Sequence, residues 1–107
     1  MVEEVTPEEI HERLESGDGP QIIDIRDPDD FATGHIPGAL NVPMGELPSR
    51  IDEIEWEEEV VVACPIGQSS IQAARLIGSY EGVEDAGSVR SMQGGYDAWE
   101  YDLERDD

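Results

Sequence analysis

Apolar positions fall in short clusters along this chain, each closed by Gly, Pro or charge, and the spacing inside the clusters is of two kinds. Continuous runs predict strands buried on both faces. Val60-Val61-Val62-Ala63 is the clearest, with three β-branched residues in a row. Gln21-Ile22-Ile23-Asp24-Ile25-Arg26 is the second, apolar through its middle except for Asp24. Val83 and Ser88-Val89-Arg90-Ser91-Met92 alternate weakly and supply a last strand. The other clusters have helical spacing. Thr6-Pro7-Glu8-Glu9 is a helix start, with Thr6 as N-cap and Pro7 at the first position; Ile10 and Leu14 share its apolar face and Gly17 ends it. His11 lies off that face, in solvent. Asp27-Pro28 opens a short helix that Gly34 closes. Leu47, Ile51 and Ile54 predict another over 46–54 despite Pro48, and Trp56 in the acidic connector after it packs over the core's edge. Ile71, Ala74 and Ile77, widened by Ala73 and Leu76, form the stripe of a helix that ends near Tyr80-Glu81-Gly82 with Arg75 facing out. After Gln93-Gly94-Gly95, the residues Tyr96, Trp99 and Leu103 predict a terminal helix.

Strands alternating with helices over 107 residues imply one α/β domain, residues 1–107, built on a small parallel sheet with helices on both faces. In such sheets a ligand site lies beyond the carboxyl ends of the strands. Cys64, the single cysteine, stands at such an end. Pro65 and Gly67 stop the strand there, so the chain turns at once. Ser69 then reads as the N-cap of the next helix, with Gln72 completing a capping box. A tight loop leading into a helix N-terminus presents unpartnered backbone N–H groups and the positive end of the helix dipole, which together hold an anion. The loop Pro65, Ile66, Gly67, Gln68, Ser69, Ser70 is therefore an anion cradle, and Cys64 at its lip is a nucleophile favoured as thiolate. Asp24 and Arg26, at the end of the neighbouring strand, are side-by-side partners and read as a structural ion pair. His35, in the Gly/Pro-rich stretch Gly34–Pro43, reads as an anchor to the backbone, since no second His or Cys stands at ligand spacing. The sequence asks for no metal or cofactor.

Charge narrows the partners. Twenty-seven Asp and Glu face six Arg and no Lys, a formal net charge of −21, which repels nucleic acid and anionic membrane surfaces. The acidity is spread over nearly every segment, a pattern that resembles the proteins of salt-loving microbes. One cysteine allows no internal disulfide, no apolar run reaches the roughly 18 residues of a membrane span, and the N-terminus lacks a signal peptide's basic start; the expected location is the cytoplasm.

Four stretches in order make the chain resemble a single-domain rhodanese-like protein from about Val5 to Leu103. They are Ile23-Asp24-Ile25-Arg26 followed by Phe31; Gly34-His35-Ile36-Pro37-Gly38-Ala39; the Cys64 loop with its helix; and Gly94-Gly95-Tyr96-Asp97-Ala98-Trp99. The resemblance implies a sulfurtransferase. Its cysteine takes a sulfane sulfur from a small-molecule donor such as thiosulfate, or from a persulfide-bearing protein, holds it as a persulfide, and passes it to a thiophilic acceptor. One position departs from the family's common loop, Cys-x-x-Gly-x-Arg-Ser: Ser69 stands where the Arg would bind an anionic donor, which leaves the loop N–H groups, the helix dipole and Arg26 as candidates to bind it. The alternative is a non-catalytic rhodanese-like interaction or sulfur-relay module. A cysteine phosphatase is a further alternative, but that chemistry wants an Arg six residues after the cysteine, and residue 70 is Ser.

Overall fold

In the computed structural model the described residues are 3–57, 59–65, 69–80 and 89–105. The chain runs β1 (Glu3–Val5), α1 (Pro7–Glu15), β2 (Gln21–Asp24), α2 (Pro28–Thr33), β3 (Leu40–Asn41), α3 (Leu47–Arg50), β4 (Val60–Ala63), α4 (Ser69–Gly78) and β5 (Val89–Met92), followed by a 3-10 turn over Gly95–Ala98. The five strands form one sheet in the order β1-β5-β4-β2-β3, and every pairing is parallel. This is the expected parallel α/β architecture. The central strand is β4, flanked by β2 with Asp24 opposite Ala63 and by β5 with Ser91 opposite Val62.

Alternation along β4 divides the core. Val60, Val62 and Cys64 pack with Ile23, Ile25, Leu47 and Ile51 and with Ala73, Ala74 and Ile77 of α4. Val61 and Ala63 pack on the opposite face with Ile10 of α1, Val5, Ile36, Met92 and Trp99. Strand side chains alternate faces, so Cys64 is delivered to the α4 side by its place in the run. Thr6 caps α1 by accepting a hydrogen bond from the Glu9 N–H at 3.2 Å, as its Thr-Pro start predicts.

The structure differs from expectation in several places. β1 and β3 carry too few residues to leave a periodic pattern: β1 turns only Val5 inward, and β3 has two residues. β2 ends at Asp24, two residues early: Ile25 N–H still reaches the Ala63 carbonyl, but the Arg26 N–H turns back to the Asp24 carboxylate at 2.9 Å. The helix expected over 46–54 is one turn; Trp56 Nε1–H donates to the Ile51 carbonyl at 2.9 Å and seals the chain beyond it. The terminal helix is only the Gly95–Ala98 turn, after which Trp99 is extended and Leu103 is exposed. The Trp99 N–H bonds back three residues to the Tyr96 carbonyl, and the chain extends at Trp99 instead of continuing as an α-helix. His11 is not a solvated surface residue: its ring stacks on Tyr101 at 3.9 Å and meets the edge of Trp99. Val83 and Ser88 of the last predicted strand, and Glu81 and Gly82 at the helix end, lie outside the described residues.

Candidate active site

Cys64 follows β4 directly and is 1% exposed. Its Sγ accepts a hydrogen bond from the Ser70 backbone N–H at 3.3 Å, and its thiol donates to Ser70 Oγ, also at 3.3 Å. Ser70 lies in the first turn of α4, so its N–H is one of the amides that a helix leaves unpaired at its N-terminus. The sulfur thus sits where the helix dipole favours negative charge. Ser70 Oγ in turn shares a 2.6 Å hydrogen bond with Ser91 Oγ on β5. Both serines are fully buried.

Gly94 and Gly95 build the floor beneath the thiol. Both have positive φ, 76° and 60°, which glycine adopts without strain. A Cβ on Gly94 would come within 2.7 Å of the Ala98 Cβ. The turn they allow aims Tyr96 N–H at the Cys64 carbonyl (2.8 Å) and Asp97 N–H at the Pro65 carbonyl (3.0 Å). These two bonds hold the strand end and the first loop residue from below.

A second cluster braces the same turn. Asp24, buried at 0% exposure, receives Arg26 Nε and Nη2 in a bidentate pair, and the Arg26 backbone N–H as well. Tyr96 OH donates to Asp24 Oδ2 at 2.8 Å and accepts from Ile36 N–H at 3.1 Å. The Arg26 guanidinium lies 3.7 Å above the Tyr96 ring and donates to the Gly34 carbonyl at 2.7 Å. Burial, reinforced by the Asp24 charge, pushes the Tyr96 phenol well above its ordinary value, so it stays a proton donor. Burial works against the Arg26 charge, but its hydrogen bonds to Asp24 and the attraction of the Asp24 charge together outweigh that, so the guanidinium is raised further. His35 is buried, stacked on Phe31 at 3.8 Å, and its Nδ1 lies 2.9 Å from the Phe31 carbonyl. It is the backbone anchor the sequence suggests.

The structure therefore brings Cys64 and Ser70 into direct contact and ties Pro65 to the floor. Ile66, Gly67 and Gln68 lie outside the described residues. Ser69 is exposed and is the first residue of α4, so it is inside the helix instead of capping it; the position before it lies outside the described residues. Arg26 spends its guanidinium on Asp24, Gly34 and the Tyr96 ring. Sequence reasoning missed two residues. Ser91 carries a faint signal, a hydroxyl among the inward positions of a buried strand, whereas Tyr96 reads only as an apolar helix face. Among the described residues no group of three His, Cys, Asp or Glu side chains is placed to hold a metal ion.

The Rhodanese-like domain model matches residues 6–102. The chain belongs to the rhodanese-like family. Its rhodanese-like relatives include a sulfurtransferase of Allochromatium vinosum, 36% identical over 99 residues that cover 92% of this chain and 89% of that protein. A thiosulfate sulfurtransferase, GlpE, of Pseudomonas aeruginosa is 34% identical over 95 residues, 89% of this chain and 81% of its own. Among solved structures, a rhodanese-like domain protein from Staphylococcus aureus superposes with a TM-score of 0.83 at 26% identity, covering 99% of this chain and all of that one. The family and these relatives support sulfur transfer as the general chemistry.

Proposed function

We propose that the protein is a sulfurtransferase working through a persulfide on Cys64. The observation that carries this reading is the Cys64 sulfur held at the N-terminus of α4 by the Ser70 N–H, at the carboxyl end of the central strand. In the first step the thiolate attacks the sulfane sulfur of the donor. A new S–S bond forms on Cys64, the donor's own S–S bond breaks, and the leaving group (sulfite, if the donor is thiosulfate) departs with the electron pair. In the second step the acceptor's nucleophile attacks the outer sulfur, and the thiolate is released with the electron pair of the bond that breaks. No redox cofactor or metal is needed, because both steps are displacements at sulfur. The Ser70 N–H and the α4 dipole stabilise the negative charge on the sulfur in each state.

The donor is a sulfane-sulfur compound, either thiosulfate or a persulfide carried by another protein, and the site of action is the cytoplasm. The loop lacks the guanidinium that would clamp an anionic donor, since position 69 is Ser and Arg26 is committed to Asp24. Direct transfer from a protein persulfide therefore makes fewer demands on this loop than thiosulfate does. Incubating the protein with thiosulfate, and separately with a low-molecular-weight persulfide, followed by intact mass measurement tests the reading. The wild type is expected to gain one sulfur that cyanide removes, and Cys64→Ser is expected to gain none. A wild-type protein that takes sulfur from neither donor would instead favour a non-catalytic interaction module.

A further inference from the structure

Ser91 has no role in the displacement chemistry, yet it is placed with care. It lies on β5 opposite Val62, the residue two before Cys64, and it is fully buried between Arg90 and Met92. A hydroxyl in such a position is costly unless it is hydrogen-bonded. Its partner is Ser70 Oγ, and Ser70 Oγ is itself the partner of the Cys64 thiol. Sulfur and two hydroxyls thus form one chain of three buried atoms spanning β4, α4 and β5.

We infer that Ser91 is a positioning residue for the Cys64 nucleophile, acting through Ser70. The inference rests on the reading of Cys64 as the reactive sulfur. With the thiol protonated, S–H donates to Ser70 Oγ, and the Ser70 hydroxyl donates to Ser91 Oγ. When the thiol loses its proton to solvent, sulfur can only accept. Each hydroxyl then turns about its C–O bond: Ser91 O–H donates to Ser70 Oγ, and Ser70 O–H donates to the sulfur. No O–H bond breaks and no heavy atom moves. The thiolate gains the Ser70 hydroxyl as a further donor. Ser91 keeps that hydroxyl aimed, because it occupies the acceptor side of Ser70 Oγ when the sulfur is an anion.

Cys64 is the single cysteine, so its alkylation by iodoacetamide reads this sulfur alone. At one near-neutral pH, Ser70→Ala is expected to slow alkylation about tenfold and Ser91→Ala about threefold, the range set by one hydrogen bond to a charged or neutral group. The double variant is expected to be no slower than Ser70→Ala, since Ser91 has nothing to act on once the Ser70 hydroxyl is gone. Ser91→Thr keeps the hydroxyl and is expected to restore most of the wild-type rate. The ultraviolet absorbance of the thiolate, which does not depend on reagent access, should follow the same order. An unchanged rate and absorbance in Ser91→Ala would overturn the inference. So would a Ser91→Ala effect that persists undiminished beside Ser70→Ala, or a Ser91→Thr protein as slow as the alanine variant. Should Ser91→Ala fail to fold, the threonine and Ser70→Ala proteins decide the matter. Sulfur loading from a donor is measured separately, so loss of the sulfurtransferase reading and loss of this one give different results.

Discussion

Replacing Asp24 by asparagine removes one charge from the best-buried ion pair among the described residues while leaving the side chain's shape almost unchanged. Asp24 is 0% exposed, and the Arg26 side chain keeps only 11% of its surface. Its two oxygens accept from Arg26 Nε and Nη2, from the Arg26 backbone and from Tyr96 OH. In Asp24→Asn one of those acceptors becomes an N–H₂ donor facing Arg26 or the Tyr96 hydroxyl, and the guanidinium is left buried without its counter-charge. Breaking a buried pair by removing one partner costs about 3–5 kcal/mol. Each kcal/mol shifts the melting temperature of a domain this size by roughly 4–8 °C, so the loss should be about 12 °C or more. Denaturant unfolding followed by circular dichroism measures it, in low and in molar KCl. The cost should hardly change between the two, because a buried pair is poorly screened. The Arg13–Glu59 pair, far more exposed, provides the contrast: Arg13→Ala should cost less than about 1 kcal/mol, and salt should shrink that further. The apolar exchange Asp24→Leu with Arg26→Met should cost less than Asp24→Asn alone, since no unpaired charge remains. A destabilisation by Asp24→Asn below about 1 kcal/mol would refute the reasoning, as would a double replacement worse than the single one.

Tyr96 gives the fold a limit at alkaline pH. Its phenol is raised, chiefly by burial, so its contribution is full below about pH 10, where an unfolded tyrosine is still neutral, and is lost as pH climbs toward the folded value. Melting temperature should fall as pH rises past about 10, and Tyr96→Phe should start lower and fall less steeply. With 27 acidic against 6 basic residues, the fold should gain stability as KCl rises into the molar range; a flat or falling melting temperature would refute this. Ser69→Arg restores a guanidinium at an exposed position in the first turn of α4. It should lower the KM for thiosulfate up to about tenfold, and a KM unchanged or raised would mean that no anionic donor is held there.

The central strand and its cysteine were legible because four apolar residues running into Pro65 admit little else, and alternation then places Cys64 on the α4 face. The start of α1 was legible from Thr6-Pro7, whose cap forms as expected. Signals failed where a contact depends on a residue far along the chain. Tyr96, Trp99 and Leu103 have helical spacing, but Trp99 is extended after one 3-10 turn and its indole N–H donates to the Asp102 carbonyl. His11 looks solvated until Tyr101, ninety residues later, covers it. Ser70 was legible as part of the loop after Cys64, whereas Ser91 leaves only a faint signal, a hydroxyl at an inward position of a weak strand. What turns them into one unit is the β4–β5 register, and neither segment states that register by itself.

The surface charge and the loop bear on the same choice of donor. Treating the net charge of −21 as acting on a dianion at about the radius of gyration, 12.5 Å, gives an unscreened repulsion of roughly 14 kcal/mol in water, an upper bound. Screening with the 8 Å Debye length of about 0.15 M salt cuts this to about 3 kcal/mol, and the 3 Å length of about 1 M salt leaves a few tenths. A loop with an arginine clamp offsets part of the cost at low salt; this one has Ser69 there, and Arg26 is bound to Asp24. With thiosulfate as donor, sulfur loading is therefore expected to rise steeply with salt. A persulfide donor bears less charge at the reacting sulfur and brings its own contacts, so it escapes most of that penalty. The KCl dependence of KM for the two donors separates the cases: a steep fall for thiosulfate beside a shallow one for a persulfide is what the charge distribution demands. Parallel slopes would mean that the field at Cys64 is set by the loop and helix, not by the acidic surface.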